Sequence, residues 1–386
     1  MTVAVRSIRQ AKVRGKRVII RVDMNVPFDH KGRIRDDFRI RESLATIRFV
    51  LRRGGSVFVL LHRGRPVGRD PKLSIIPIAE RAAKILGVGV RVVSDLTRER
   101  PEKYQKMRVL FSENIRFFDG EEKDSPKFAK VLAGWGDLYV NDALAVSHRA
   151  AASIVAITKF LPSYTGLLLA SEISALDRVL KNPRRPFAVI LGGAKAETKI
   201  PYVALLLKKA DELIPGGVIL NTLWAGWGHE TGKSVVEKSQ FSNAKKLNRE
   251  RRLLIPDDVS VLTGNIIKGP MRVIPLASVG RGDYILDLGP ASVRKFAPIL
   301  YKTRTVLWNG PLGNTDRVGG DRATRALAKI LKRSRARIVV GGGDLEAALK
   351  KEKVVGSRVF VSTGGGAMLE YVAFGTLPGI EALKRE

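Results

Sequence analysis

Short apolar runs alternate with longer stretches of helical period from Arg17 to Ser362, and this alternation constrains the chain more than any other feature. Strands that recur only after a helical stretch pair in parallel, because a parallel neighbour is reached by a crossover too long for a hairpin. The first series of strands is expected at 17–22, 56–61, 89–93, 109–111 and 137–140, with helices over 40–53, 75–86 and 126–134. A second series follows Pro186, at 187–191, 212–215, 253–255, 305–308, 337–340 and 359–362. Between them, 167–180 carries a helical apolar period that ends at Asn182-Pro183. At 386 residues the chain is long for one hydrophobic core. The expected fold is α/β, two doubly wound parallel-sheet domains of similar size joined by a helix.

In such sheets ligands sit beyond the carboxyl ends of the strands, and there the first half is polar. Strand 17–22 opens into Arg21, Asp23 and Asn25 and stops at Pro27. Two apart, these three project from one face of an extended segment. His62 to Pro66, Glu113 to Arg116 and Asn141 to Arg149 occupy matching places, so Arg21, Arg39, Arg65, Arg116, Arg149, His62 and His148 gather with Asp23 as the acidic partner. Several arginines around one cleft recognise phosphate and carboxylate through forked hydrogen bonds. His62 and His148 lack metal-ligand spacing, which favours a phosphate-facing or structural role.

The second half ends its strands on glycine. Gly192-Gly193-Ala194-Lys195, Asn309-Gly310-Pro311, Gly341-Gly342-Gly343-Asp344 and Thr363-Gly364-Gly365-Gly366 can each bring backbone N–H groups to an anion. Lys195 and Lys199, four apart, are expected to share one helix face and contact different phosphates of one nucleotide. Asp344, alone after three glycines, is the candidate magnesium ligand. A Walker A loop is absent, since Gly226 to Ser234 has Trp227 where the first glycine belongs.

The charge and the missing cysteines bear on partners and compartment. With 69 Lys+Arg against 37 Asp+Glu the net charge is +32, which suits either a polyanion such as nucleic acid or a site that draws in phosphorylated metabolites. The basic residues are scattered and few aromatics lie between them, so nucleic-acid binding is kept as the secondary expectation. Self-repulsion at this charge makes a monomer the default. The absence of cysteine excludes disulfides, thiolate metal sites and cysteine nucleophiles. With no signal-peptide pattern and no apolar segment of membrane-spanning length, a cytoplasmic protein is expected, with no membrane partner.

Taken in order, these motifs resemble the phosphoglycerate kinase family. The matching stretches are Arg21 to Pro27, Phe38-Arg39-Ile40, His62 to Pro66, Glu113 to Phe117, Val140 to Arg149, Leu191 to Ile200, Trp308 to Gly313, Gly341 to Asp344 and Val361 to Glu370, with Leu377-Pro378-Gly379 near the end. The resemblance implies two Rossmann-like domains with hinge closure. Residues 1–166 would bind 3-phosphoglycerate or 1,3-bisphosphoglycerate, 167–182 would be the interdomain helix, 183–366 would bind Mg-ADP or Mg-ATP, and 367–386 would return to the first domain. By position, Arg21, Asp23, Asn25, Arg39, His62, Arg65, Arg116, His148 and Arg149 would bind the triose. Gly193, Ala194, Lys195, Lys199, Gly217, Asn309, Asp316, Gly343, Asp344 and Thr363 would serve the nucleotide, with Asp344 on Mg²⁺. Arg39, Lys199, Gly364 and Gly365 would act on the transferring phosphoryl group. Departures from the family pattern cluster near the nucleotide: Asn314-Thr315-Asp316 in place of a glutamate, Pro215 for a glycine and Leu345 for a threonine. Others are Ala145, Ala151 and Ala373-Phe374. The alternative from another class is a kinase-like polyanion-binding protein.

Overall fold

Val18, Ile19 and Ile20 are all fully buried, as a strand covered on both faces requires, and the same holds for Val57 to Leu60 and for Val189 to Leu191. In this computed structural model, which describes residues 5–265, 269–354 and 356–384, such runs form two parallel sheets. The first contains β1 (Arg17–Arg21), β2 (Ser56–Leu60), β3 (Arg91–Val93), β4 (Val109–Ser112), β5 (Leu138–Asn141) and β6 (Ser163–Thr165), in the order β3-β4-β2-β1-β5-β6. The second unit contributes β7 (Phe187–Leu191), β8 (Glu212–Pro215), β9 (Asp258–Thr263), β10 (Met271–Pro275), β11 (Asp283–Leu288), β12 (Thr305–Asn309), β13 (Arg337–Gly341) and β14 (Val359–Ser362). Five of these make the parallel sheet β14-β13-β12-β7-β8. In both sheets the order reverses beside the first strand of the series, which opens a crevice at the strand ends.

The expected strands differ from the structure at three places. The segment 253–255 is no strand: Leu253 makes a single parallel bridge to Leu213, and Pro256, lacking an N–H, ends the pairing. In its vicinity lies an unforeseen antiparallel sheet, β10-β9-β11. Its strand β10 is mostly exposed and ends in Pro275, so no buried alternation marks it. The third difference is Ser163–Thr165, which joins β5 as a short edge strand.

The chain divides into two compact units, Met1–Ser174 with Thr376–Glu386, and Ala175–Gly375. The division falls within the helix Leu167–Lys181. The helix Gly366–Phe374 belongs to the second unit, where Tyr202 donates its hydroxyl to Glu370 at 3.2 Å and Lys209 Nζ donates to the Val372 carbonyl at 2.7 Å. The return to the first unit therefore begins at Thr376, later than residue 367. There Leu377 and Ile380 are buried, and the Gly379 N–H donates to the Ser147 carbonyl at 2.8 Å.

Two glycine turns in the second unit are closed against each other. The Gly192 N–H donates to Asn309 O at 2.9 Å and the Gly193 N–H to Pro311 O at 2.7 Å. A Cβ on Gly192 would lie 1.9 Å from the Pro311 carbonyl oxygen, so the backbone itself would have to part. Gly192→Ala is expected to destabilise the second unit by about 3 kcal/mol, or roughly 10 °C in its melting temperature. A thermal scan that shows no shift would mean the two turns separate freely.

Candidate active site

Arg21 closes β1, paired in register with Leu60 of β2 and Asn141 of β5. Its guanidinium is 2% exposed, so its donors must find acceptors inside the protein. Nε donates to Ser153 Oγ at 2.9 Å, and the Ser153 hydroxyl donates in turn to Glu121 Oε1 at 2.6 Å. Burial pushes the Glu121 carboxyl above its usual range, with Arg21 and Ser153 opposing. Sequence reasoning missed Ser153 and Glu121, which hold the Arg21 guanidinium in place. Both lie in loops far along the chain, and neither has a motif.

A cavity of about 340 Å³ opens on this network and is lined by Arg21, Arg116 and Arg149 with Glu121 and Glu122. Arg116 is held by the Gly64 carbonyl at 2.7 Å and by Glu122 at 3.2 Å. Arg149 donates to His148 Nε2 at 3.2 Å and lies 3.8 Å from Glu122. His62 follows β2 and is 5% exposed. Its burial, then the positive charges of Arg21, Arg116, Arg149 and Arg39, hold its imidazole well below the usual range, so it is neutral at pH 7. His62 Nδ1 is buried with no hydrogen-bond partner among the described residues.

Asp23, Asn25 and Arg39 form a second chain of contacts. Arg39, in the first turn of the helix Phe38–Arg52, pairs with the buried Asp23 carboxylate. The other Asp23 oxygen accepts the Asn25 N–H at 3.1 Å, and Asn25 Oδ1 accepts the Gly64 N–H at 3.2 Å. Arg65 stands apart. It is exposed and makes no hydrogen bond or ion pair among the described residues.

In the second unit a cavity of about 230 Å³ is lined by Gly193, Ala194, Gly217, Asp316 and Asp344 of the expected nucleotide residues. Val218, Leu220, Val235 and Tyr284 add apolar wall, and Asn221 and Asn314 add amides. Tyr284 was not anticipated because β11 itself was not, and Val235 lies outside any strand, in the stretch that Gly232 and Ser234 tie to β11. Gly217 sits at φ +54°, a conformation that favours glycine, and its N–H donates to Leu312 O at 2.7 Å. Asp344 lies in the first turn of the helix Gly343–Lys351, facing this cavity.

Lys195 and Lys199 do not share a helix face. Both precede the helix Ile200–Leu207, because Pro201 sets the helix start and Lys199 is its capping position. Lys195 is exposed, whereas Lys199 is 8% exposed, and Lys199 Nζ donates to the Gly192 carbonyl at 2.6 Å. Burial, and then the charge of Lys195, lower the Lys199 ammonium to about 8. A Cβ on Gly193 would lie 3.2 Å from Nζ, which places this ammonium against the glycine turn that lines the cavity.

Asn309 ends β12 and donates its amide to the Gly365 carbonyl at 3.1 Å, tying two strand ends together. Gly365, at φ +53°, caps the helix Gly366–Phe374. Thr363 is buried, and Ser362 Oγ accepts the Gly364 N–H at 3.0 Å. The glycine amides thus lie at a helix N-terminus, as the sequence suggests. Of the departures, Leu345 is fully buried in the core and Phe374 packs edge-on to Tyr202.

The arrangement is chemically two-sided: one unit concentrates guanidiniums at its strand ends, the other glycine amides and a buried ammonium beside a mostly apolar cavity. Among the described residues no helix is long and apolar enough to cross a membrane. Residues 8–373 match the model of the family described as phosphoglycerate kinase. The chain is similar to a phosphoglycerate kinase of Coprothermobacter proteolyticus, 39% identical with 98% of each chain covered. It has the same identity and coverage with a cytosolic phosphoglycerate kinase of Triticum aestivum. The fold is similar to a solved phosphoglycerate kinase from Pyrococcus horikoshii, with a TM-score of 0.85, 29% identity and 98% of each chain covered. With one from Coxiella burnetii the TM-score is 0.81 at 34% identity, covering 98% of this chain and 99% of that one. Sequence, fold and the two contrasting sets of strand ends agree, and the chain belongs to the phosphoglycerate kinase family.

Proposed function

We propose that the first unit binds 3-phosphoglycerate or 1,3-bisphosphoglycerate through Arg21, Arg116 and Arg149, and that the second binds ADP or ATP at the cavity beside Gly193, Gly217 and Tyr284. The convergence of four guanidinium charges on a buried, neutral His62 carries the reading, because such a field calls for a multivalent anion. In the forward direction the O–P bond of the acyl phosphate breaks and a new P–O bond forms to a β-phosphate oxygen of ADP. The leaving carboxylate is stable at neutral pH, so no proton need be moved. A neutral His62 is compatible with that, being no proton donor.

Charge on the moving group is then the main demand, and Arg39, Lys199 and the Gly364 and Gly365 amides are assigned to it. Lys199 has donors to spare, since Gly192 O takes one of its three N–H bonds. Asp344 suits Mg²⁺, which is commonly held by one or two carboxylates together with substrate phosphates. Among the described residues no larger cluster of metal-ligating side chains competes with it. Mg²⁺, when bound, supplies neutralisation of the nucleotide phosphates. Asp316, exposed on the cavity edge, is assigned to the ribose hydroxyls.

The test compares two acyl phosphates with Mg-ADP as acceptor. ATP formation from 1,3-bisphosphoglycerate is expected, and acetyl phosphate, lacking the distal phosphate, is expected to be worse by at least about a hundredfold in kcat/KM. Equal use of the two would remove the arginine cluster from substrate recognition.

A further inference from the structure

The candidate active site occupies the carboxyl ends of the second unit's strands, and their amino ends surround a different cavity of about 170 Å³. Four arginines line it, each from another segment. Arg178 is on the helix Leu167–Lys181, Arg184 precedes β7, Arg337 opens β13 and Arg358 immediately precedes β14. The floor is apolar, with Val179, Ile338 and Phe360, and no Asp or Glu is among the lining residues.

These four exposed charges are gathered around one cavity, two of them side by side on adjacent strands. Ile338 pairs with Val359, and the Ile338 N–H donates to the Arg358 carbonyl at 2.8 Å. One step back in this register, Arg337 and Arg358 are neighbours on adjacent parallel strands, which lie about 4.8 Å apart. Like charges set side by side across a sheet repel. Arg358 is steered by the Ser334 carbonyl, and Thr305 donates its hydroxyl to the Arg184 carbonyl at 2.8 Å, fixing the backbone there. The side chains of Arg178, Arg184 and Arg337 make no hydrogen bond or ion pair among the described residues, so their donors are free to meet a ligand.

We propose that this cavity is a second anion site, distinct from the nucleotide and triose sites, that takes a compact ligand carrying two or more phosphate groups. Guanidinium forks from several directions match phosphate oxygens, and the volume holds only a few water-sized groups at about 30 Å³ each. A compact anion fits better than single-stranded nucleic acid, which is bound on grooves with successive exposed aromatics. Here the lining holds one aromatic ring, the half-buried Phe360.

Calorimetric titration of the full chain with inorganic triphosphate at low salt tests this. Three binding events are expected, at the nucleotide site, at the arginine cluster of the first unit and here. The double variant Arg184→Gln/Arg337→Gln alters exposed side chains without partners and should fold and turn over normally. It is expected to lose one event or weaken it at least about tenfold, while Lys195→Ala affects a different one. Unchanged binding in the arginine variant would overturn the proposal, as would disappearance of all binding in Lys195→Ala. A single-stranded oligonucleotide that binds these arginines more tightly than triphosphate would overturn the compact ligand in favour of a nucleic-acid surface.

Discussion

Lys199→Ala is expected to lower kcat by at least about a hundredfold, because one well-placed donor to a developing charge is typically worth about 3 kcal/mol in the transition state. The geometry makes Lys199 such a donor: it is nearly buried, its stem is fixed at the helix cap, and Nζ is held by Gly192 O at 2.6 Å. Stability separates this role from a structural one. The ammonium has a lower pKa folded, about 8, than unfolded, 10.5. The fold therefore disfavours the charged form, and the cost accrues as pH falls from the unfolded value through about 8 and is complete at pH 7. Lys199→Met, which keeps the stem, should melt no earlier than the wild type at pH 7 while remaining inactive. A variant that is inactive because it has unfolded would contradict the assignment.

The same shift predicts the alkaline limb of the rate. A lysine at about 8 loses its proton just above neutral pH, so kcat/KM, which reports the free enzyme, should fall with a midpoint near pH 8. In kcat the limb should move upward, because bound phosphates favour the ammonium. Flat kcat/KM profiles to about pH 10 would show that the charge of Lys199 is not required.

What could be read from the sequence follows from what is local. The βαβ rhythm and the glycine turns are local patterns, so the strand-end positions of Arg21, His62, Asn309 and Asp344 were legible, and so was the helix after Gly364-Gly365. The capping place of Lys199 was misread because a four-residue spacing suggested a helix that Pro201 in fact delays. Ser153 and Glu121 were hidden for another reason. They join the site only because the buried Arg21 reaches Ser153 across 132 positions of sequence, a fact of packing that no spacing reveals. Tyr284 was missed with the antiparallel β9–β11 sheet, whose exposed β10 lacks the alternation by which a strand is recognised, and Val235 with the stretch beside it.

Arg39→Ala should combine the two kinds of loss, and a second substitution can pull them apart. Arg39 is 31% exposed along its side chain, whereas its partner Asp23 is only 3% exposed. Removing the guanidinium leaves a buried carboxylate without a cation, which costs about 3 kcal/mol or more. It also removes a charge assigned to the transferring phosphoryl group, so kcat should drop by at least about a hundredfold. Adding Asp23→Asn neutralises the stranded charge, and the amide can still accept the Asn25 N–H now held at 3.1 Å. The double variant should therefore regain most of the lost stability in denaturant unfolding. It should regain none of the lost turnover, since no cation returns to the reacting group. Recovery of activity in step with stability would mean that Arg39 serves only to keep Asp23, Asn25 and the Gly64 turn in place.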